Sequence, residues 1–480
     1  MTFELPQFLP AVPEMFLLGM ICFVLIVDVC ISDAHRLITY WLSLASVVGT
    51  AWLTIAVAQQ GSLLTFSGMF VNDAMGNVLK LCTDLVVAVV FIYSRDYLRD
   101  RGLFKGEYYI LGLTSLLGMM VMISAHNMLT VYLGLELLSL SLYAMVALDR
   151  DSAVASEAAM KYFVLGAIAS GVLLYGMSLL YGATGTLDLT ELGVHIASGS
   201  GTSIATVFAL GFVVAGLCFK LGAVPFHMWL PDVYEGSATS VTLFVGTAPK
   251  IAAFALFMRF LVEGLGGLHS DWQGMLIAIS ILSMGIGAFV AIVQSNFKRM
   301  LAYSTIGHVG FILLGILAGT TAGYQAAMFY TLTYVLMAMA AFGLILLLAR
   351  KGFEAEKLED LKGLNERSPW FAALMLMVMF GMAGVPPFVG FFAKLYVLRA
   401  VIDVGLTWLA VTAVVFSIIS AYYYIRVVKL MYFDRAPANA KGVRAEFDLR
   451  WLLSGNGLAI LALGVLPGPL MALCVKVIAF

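Results

Sequence analysis

The sequence predicts an all-α polytopic membrane protein of about 14 transmembrane helices. Three observations predict it. Of 480 residues, 62% are hydrophobic and 11% charged, with a mean hydropathy of +0.99; a soluble chain carries about 25% charged residues. Apolar runs of about 18 residues or more, enough to cross roughly 30 Å of hydrocarbon, recur along the whole chain. The basic residues fall almost entirely in alternate loops. Hydrocarbon offers no partner to a free backbone group, and the alternating pattern of a membrane barrel is missing, so helices are the spanning element.

Hydropathy read against breakers places spans 1 to 14 at 12–31, 38–58, 74–94, 107–124, 127–148, 157–181, 205–228, 238–262, 272–294, 299–318, 323–349, 369–402, 405–432 and 452–475. With the amino terminus outside, the inner loops contain Arg36, Arg95, Arg99, Arg101, Lys105, Arg150, Lys298 and Arg299. The polar stretches 350–368 and 434–450, both inner, add Arg350, Lys351, Lys357, Lys362, Arg367, Arg435, Lys441, Arg444 and Arg450, with Arg426 and Lys429 just before the second. Only Arg259, Arg399 and Lys476 lie near outer ends. This positive-inside bias predicts both termini on the periplasmic side of a bacterial inner membrane. The amino terminus lacks the basic stretch of a signal peptide, so the first apolar run reads as a retained span.

A net charge of −1 leaves no footprint for nucleic acid. The five cysteines, Cys22, Cys30, Cys82, Cys218 and Cys474, are scattered without C-x-x-C spacing. They read as inert buried thiols rather than metal or cluster ligands. No nucleotide-binding Gly motif or soluble catalytic module occurs.

Five lysines remain inside spans: Lys80, Lys161, Lys220, Lys250 and Lys394. A charge at mid-bilayer costs at least ~2.5–3.5 kcal/mol, so each needs a reason. Lys80 has Asp84 four residues on and Lys161 has Glu157 four residues before, spacings that allow structural ion pairs on one helix face. Lys220, Lys250 and Lys394 have no carboxylate one turn away. With Glu136 in span 5 and His308 in span 10, they make a chain of groups able to hold or release a proton. Burial disfavours a charged lysine and a nearby carboxylate favours it, so a lysine whose carboxylate partner comes and goes is a protonation switch. For His308 alone, a hydrogen-bonded packing role weighs almost as much as a relay role.

Prolines accompany these lysines. Pro225 follows Lys220, Pro249 precedes Lys250, and Pro386 and Pro387 precede Lys394. Each proline frees the carbonyl four residues earlier, at Leu221, Val245, Met382 and Ala383. Freed carbonyls at membrane depth are tolerated only beside water or protein partners. Two breaks, G-A-V-P-F at 222–226 and G-V-P-P-F at 384–388, are alike and five spans apart. An odd separation gives the copies opposite directions, so the expectation is two inverted five-helix repeats, spans 4–8 and 9–13, with broken helices 7, 8 and 12. The chain then divides into helices 1–3 (residues 1–94), a first repeat (107–262), a second repeat (272–432) and helix 14 (452–480).

The segments F-K-L-G-A-V-P-F-H-M-W-L-P-D-V-Y-E-G (219–236), Q-S-N-F-K-R-M-L-A-Y-S-T-I-G-H-V-G-F (294–311) and G-V-P-P-F-V-G-F-F-A-K-L (384–395) resemble the proton-conducting, antiporter-like subunits of respiratory complex I. Within that family, L-E-L-L-S-L-S-L-Y-A-M-V-A-L (135–148), T-A-P-K (247–250) and a lysine, Lys394, in the twelfth helix are similar to the N-type members. The resemblance implies Glu136 and Lys220 as a mid-membrane ion pair, Lys250 as the central connecting lysine and Lys394 as the terminal site. It implies M-type and K-type neighbours, then A, H, J and L types, around a lipid-embedded subunit. Quinone would be the substrate of the whole complex, with FMN and iron–sulfur clusters in partner subunits. Other readings are a subunit of a multisubunit cation/proton antiporter or membrane-bound hydrogenase, a structural anchor and a stand-alone transporter. The N-type fifth helix and Lys394 weigh against the first, and the cost of unmatched intramembrane charges against the second. The lack of an organic-substrate site weighs against the third.

Overall fold

A computed structural model describes residues 6–58, 61–198, 204–437 and 446–478. Lys441 and Arg444 of the expected inner loop lie outside them. Among the described residues, twelve helices are long and apolar enough to cross a membrane: Leu9–Cys30, Leu37–Val57, Ala74–Asp100, Gly106–Ile123, Met128–Val146, Ala153–Thr184, Ile204–Leu221, Thr239–Gly264, Gly266–Val293, Phe297–Leu317, Thr321–Leu348 and Thr407–Tyr432. These are spans 1 to 11 and span 13. Phe447–Val465 and Gly468–Val477, bent by 83°, make span 14. Span 12 is divided into Pro369–Ala383 and Val389–Asp403, each too short to cross alone.

Polar residues start many of these helices. The side chains of Asp73, Asn127, Ser152, Asn296 and Thr320 each accept a hydrogen bond from a first-turn N–H of spans 3, 5, 6, 10 and 11. A two-stranded hairpin, β1 (Leu63–Thr65) and β2 (Phe70–Asn72), joins spans 2 and 3. Spans 8, 10 and 11 form the core, with 94%, 89% and 83% of their apolar windows buried, against 33% for span 1 and 28% for span 13. Span 8 carries Lys250 and span 10 carries His308, so both expected relay groups sit in the most enclosed helices.

Helices in lipid gain little from hydrophobic burial against one another, so they associate through close packing of small residues. Spans 4 and 5 touch backbone to backbone: a Cβ on Gly118 would stand 2.5 Å from the Leu138 nitrogen, and one on Gly134 2.6 Å from that of Met122. Spans 9 and 10 repeat the device, since a Cβ on Gly287 would stand 2.6 Å from the Gly307 nitrogen.

The two breaks match in detail. Gly222 and Gly384 have φ of +86° and +85°, a left-handed conformation that glycine adopts without a Cβ penalty. The N–H groups of Gly222 and Ala223 both donate to the Cys218 carbonyl, and those of Gly384 and Val385 both donate to that of Phe380. A cis X-Pro bond follows each, at Val224–Pro225 and Pro386–Pro387. Span 8 is interrupted as well: Thr247, with φ −121° and ψ −91°, leaves the helical conformation between Thr239–Gly246 and Ala248–Phe257, and the span ends in a π-helical turn, Met258–Gly264.

Candidate functional site

Lysines meet the carbonyls that the prolines free. Lys250 is 2% exposed, and its Nζ donates to the Leu221 carbonyl at 2.9 Å. Span 8 thus closes the break of span 7. Lys394 is 8% exposed and donates to the Ala383 carbonyl at 2.8 Å and to Ser417 Oγ of span 13 at 2.9 Å. Leu221 directly precedes Gly222, and Ala383 directly precedes Gly384. The same acceptor in each repeat therefore holds an ammonium group, supplied by span 8 in the first repeat and by span 12 itself in the second.

Lys220 ends the first half of span 7. Its Nζ donates to Ser139 Oγ at 2.7 Å and reaches Ser170 Oγ at 3.5 Å. The expected direct pair with Glu136 is open: among the described residues, Glu136 makes no ion pair within 4.0 Å, and its Oε1 is buried without a hydrogen-bond partner. Ser139 lies three residues after Glu136 on one face of span 5, so Lys220 rests one turn from the carboxylate. Lys220 and Lys250 line one cavity of about 20 Å³ with Ser139, Tyr162 and Trp229, room for about one water molecule.

His308 is 4% exposed, with Nδ1 2.8 Å from Tyr330 Oη and Nε2 3.0 Å from Tyr424 Oη. Each phenol can give or take a proton, so both ring nitrogens are satisfied in either tautomer. Tyr330 stacks on Phe311 at 5.9 Å, and Lys394 Nζ lies 5.1 Å from the centroid of that same ring. His308 and Lys394 thus flank one aromatic pair. Tyr334, 5.1 Å from the His308 ring, donates to Thr305 Oγ1 at 2.8 Å. The structure groups Glu136, Lys220 and Lys250 on one side and His308 and Lys394 on the other. Sequence reasoning missed the hydroxyls that complete both groups: Ser139, Ser170, Ser417, Tyr330 and Tyr424. A single Ser or Tyr in an apolar run carries almost no signal of its own, because its partner lies on another helix.

The other charges also need correction. Lys80 pairs with Glu14 of span 1 at 2.6 Å, and not with Asp84, whose carboxyl oxygens make no hydrogen bond. Lys161 does meet Glu157 at 2.9 Å, and equally Asp232, which Arg299 also holds. Lys298 was expected in a loop but is 1% exposed, paired with Glu356 at 3.0 Å. Arg259 is buried to 1%, held by Asp73 through two 2.8 Å hydrogen bonds and by Glu263 at 2.7 Å. Among the described residues, no group of three or more His, Cys, Asp or Glu is placed to hold a metal ion.

Residues 125–420, which contain both breaks and the lysines that hold them, match the family described as NADH:quinone oxidoreductase/Mrp antiporter, TM. NADH-quinone oxidoreductase subunit N of Thioalkalivibrio sulfidiphilus is 60% identical over 481 residues, covering 100% of both chains. Its counterpart in Thiobacillus denitrificans is 58% identical, covering 100% of this chain and 99% of its own. The chain belongs to the family of NADH-quinone oxidoreductase subunit N. A chain in respiratory complex I of Thermus thermophilus with bound aureothin is 30% identical with a TM-score of 0.83, covering 96% of this chain and 98% of its own. A chain in the Mrp complex of Dietzia shares the fold at 22% identity and a TM-score of 0.81, covering 98% of this chain and 97% of its own.

Proposed function

We propose that this chain is the proton-translocating N-type membrane subunit of a bacterial NADH–quinone oxidoreductase, coupling electron transfer from NADH to quinone to proton movement across the inner membrane. The observation that carries the reading is the pair of equivalent breaks, each holding a buried lysine on its freed carbonyl. The helices divide into 1–94, 107–262, 272–432 and 452–480, with both termini periplasmic. M-type and K-type subunits are the neighbours, with A, H, J and L types beyond. The chain is a subunit of a translocase; the redox centres, FMN and iron–sulfur clusters, belong to partner subunits. The Mrp-like fold admits a second reading, a subunit of a cation/proton antiporter or hydrogenase. Identity of 60% over the whole chain to a subunit N favours the first.

Catalysis here is movement of a proton between named groups. Lys220 rests on Ser139, one turn from Glu136. An ion pair closed to 4 Å at an effective dielectric of 20 is worth about 4 kcal/mol, enough to decide whether the ammonium keeps its proton. Quinone reduction alters that interaction through a neighbouring subunit. When the pair weakens, the Lys220 proton passes through the shared cavity to Lys250 and onward to His308 and Lys394. The tyrosine hydroxyls around His308 suit it to both accept and donate.

The test follows NADH-driven quinone reduction and proton uptake into inverted vesicles carrying Lys220→Ala, with assembly checked. Loss of both activities in an assembled complex is the expected result. Unchanged pumping would make the lysine structural and remove the central step. Glu136→Gln, which keeps the shape and removes the charge, should impair coupled pumping; undisturbed pumping would remove Glu136 from the route.

A further inference from the structure

Spans 1 to 3 lie outside both repeats, yet they enclose another set of titratable groups. Glu14 of span 1 stands 2.6 Å from Lys80 of span 3, and Asp84 follows Lys80 by four residues on the same helix face. Glu14 is 6% exposed, and Lys80 and Asp84 1% each. The carboxyl oxygens of both Glu14 and Asp84 are buried without a well-aligned hydrogen bond, but only Glu14 stands within ion-pair distance of Lys80. The Phe70 ring of β2 covers Lys80, its centroid 4.9 Å from Nζ. The charges that act on Asp84 are those of Lys80 and Glu14. Cys82 and, on span 14, Cys474 are the thiols in electrostatic range, while Asp73 is already held by Arg259.

We propose that Glu14, Lys80 and Asp84 form a proton-holding site in the N-terminal three-helix unit, where Lys80 pairs with one carboxylate while the other carboxyl carries a proton. Full ionisation would set two carboxylates against one ammonium, and among the described residues no further cation acts on Asp84. A buried charge left without compensation takes up a proton rather than stay ionised. Asp84, which lacks the ammonium contact that Glu14 makes at 2.6 Å, is the group that holds it. The neutral trio has two arrangements. In one, Glu14 is ionised and Asp84 protonated; in the other, the O–H bond of Asp84 has broken and an O–H bond on Glu14 has formed. Lys80 stays charged throughout and no electron moves. The arrangements differ in which helix supplies the carboxylate to Lys80, so a shift of span 1 against span 3 moves the proton. The site uses no member of the Lys220 to Lys394 series and stands whether or not that route holds.

Infrared spectra of the intact purified complex near neutral pH test it, because a protonated carboxyl in apolar surroundings has a C=O stretch well separated from the bands of a carboxylate. Subtracting the Asp84→Asn spectrum from the wild-type spectrum should reveal that stretch. Glu14→Gln should lose it as well, since Asp84 then ionises to pair with Lys80. A wild-type minus Asp84→Asn difference that contains only carboxylate bands overturns the proposal, as does persistence of the stretch in Glu14→Gln. Where Glu14→Gln fails to assemble, Lys80→Met replaces it: loss of the ammonium should add a second protonated-carboxyl stretch, from Glu14. An unchanged Glu14 carboxylate in that variant overturns the proposal equally.

Discussion

Arg259 stays charged at any pH a cell meets, so burying it to 1% exposure requires carboxylates on the spot, and Asp73 and Glu263 are there. Asp73 has a second task, capping span 3 through the Gly76 N–H at 2.8 Å. Burial pushes its carboxyl up, but the Arg259 charge, the Arg259 hydrogen bonds and the Gly76 N–H outweigh burial and hold it below the ordinary 3.8. A depressed carboxyl stabilises the fold above its unfolded value and stops doing so as pH falls through the folded one. Asp73→Asn should therefore cost about 1–3 kcal/mol at neutral pH, the penalty of under-satisfying a buried charge. Thermal unfolding of the purified complex should show the variant melting lower at neutral pH and the gap closing below pH 3.8. At this scale the sequence was informative where the cause is covalent. Pro225 and Pro387 mark Leu221 and Ala383 as free acceptors by ring geometry alone. It misled where the cause is tertiary. Four-residue spacing assigns Lys80 to Asp84, but packing of span 1 brings Glu14 to 2.6 Å.

Each broken helix couples a turn to a side chain. Gly384 must hold φ +85°, and a Cβ there would come 2.9 Å from Lys394 Cδ, in a side chain already fixed between Ala383 and Ser417. Gly384→Ala should cost about 1–2 kcal/mol for the left-handed backbone alone. It should also displace the ammonium, so proton uptake per quinone reduced falls. Gly19→Ala, with nothing within 4 Å of its Cβ, is the control and should change neither quantity. Equal pumping in the two variants would separate Lys394 from the break. The breaks were legible because G-A-V-P-F and G-V-P-P-F are local signals. Span 12 needed the motif as well as hydropathy: its hydropathy runs on over 369–402, and only G-V-P-P-F marks the segment between Ala383 and Val389 where the backbone leaves the helix. Hydropathy reports depth in the bilayer and says little about where hydrogen bonding stops.

At the scale of the molecule, the inverted repeats expected from the two breaks run in opposite directions through the bilayer, and the charge bias predicts which end faces inward. The face predicted to lie inside is tied together by buried pairs as well as exposed ones: Lys298 with Glu356, and Arg299 with Asp232 and Glu235, join span 10 to the 350–368 segment and to the short helix Trp229–Gly236. Arg101, which caps the end of span 3, meets Glu354 of that same segment at 2.6 Å. The basic residues that set orientation in the sequence therefore act in the fold as struts on one face, and inserting the chain the other way round would carry those paired loops across the lipid. The His126, Asp188 and Glu263 cluster, by contrast, gathers at the opposite ends of spans 5, 6 and 8. A membrane-impermeant thiol reagent decides the orientation, in a background with Cys22 and Cys30 changed to Ser because both are exposed. A cysteine placed at Gly185, in the connection after span 6, should label from the periplasmic side of intact cells. One at Lys351 should label only after the cells are opened. The reverse pattern would place both termini inside, exchange the entry and exit sides of the proposed proton route, and leave the pairing of its residues as it stands.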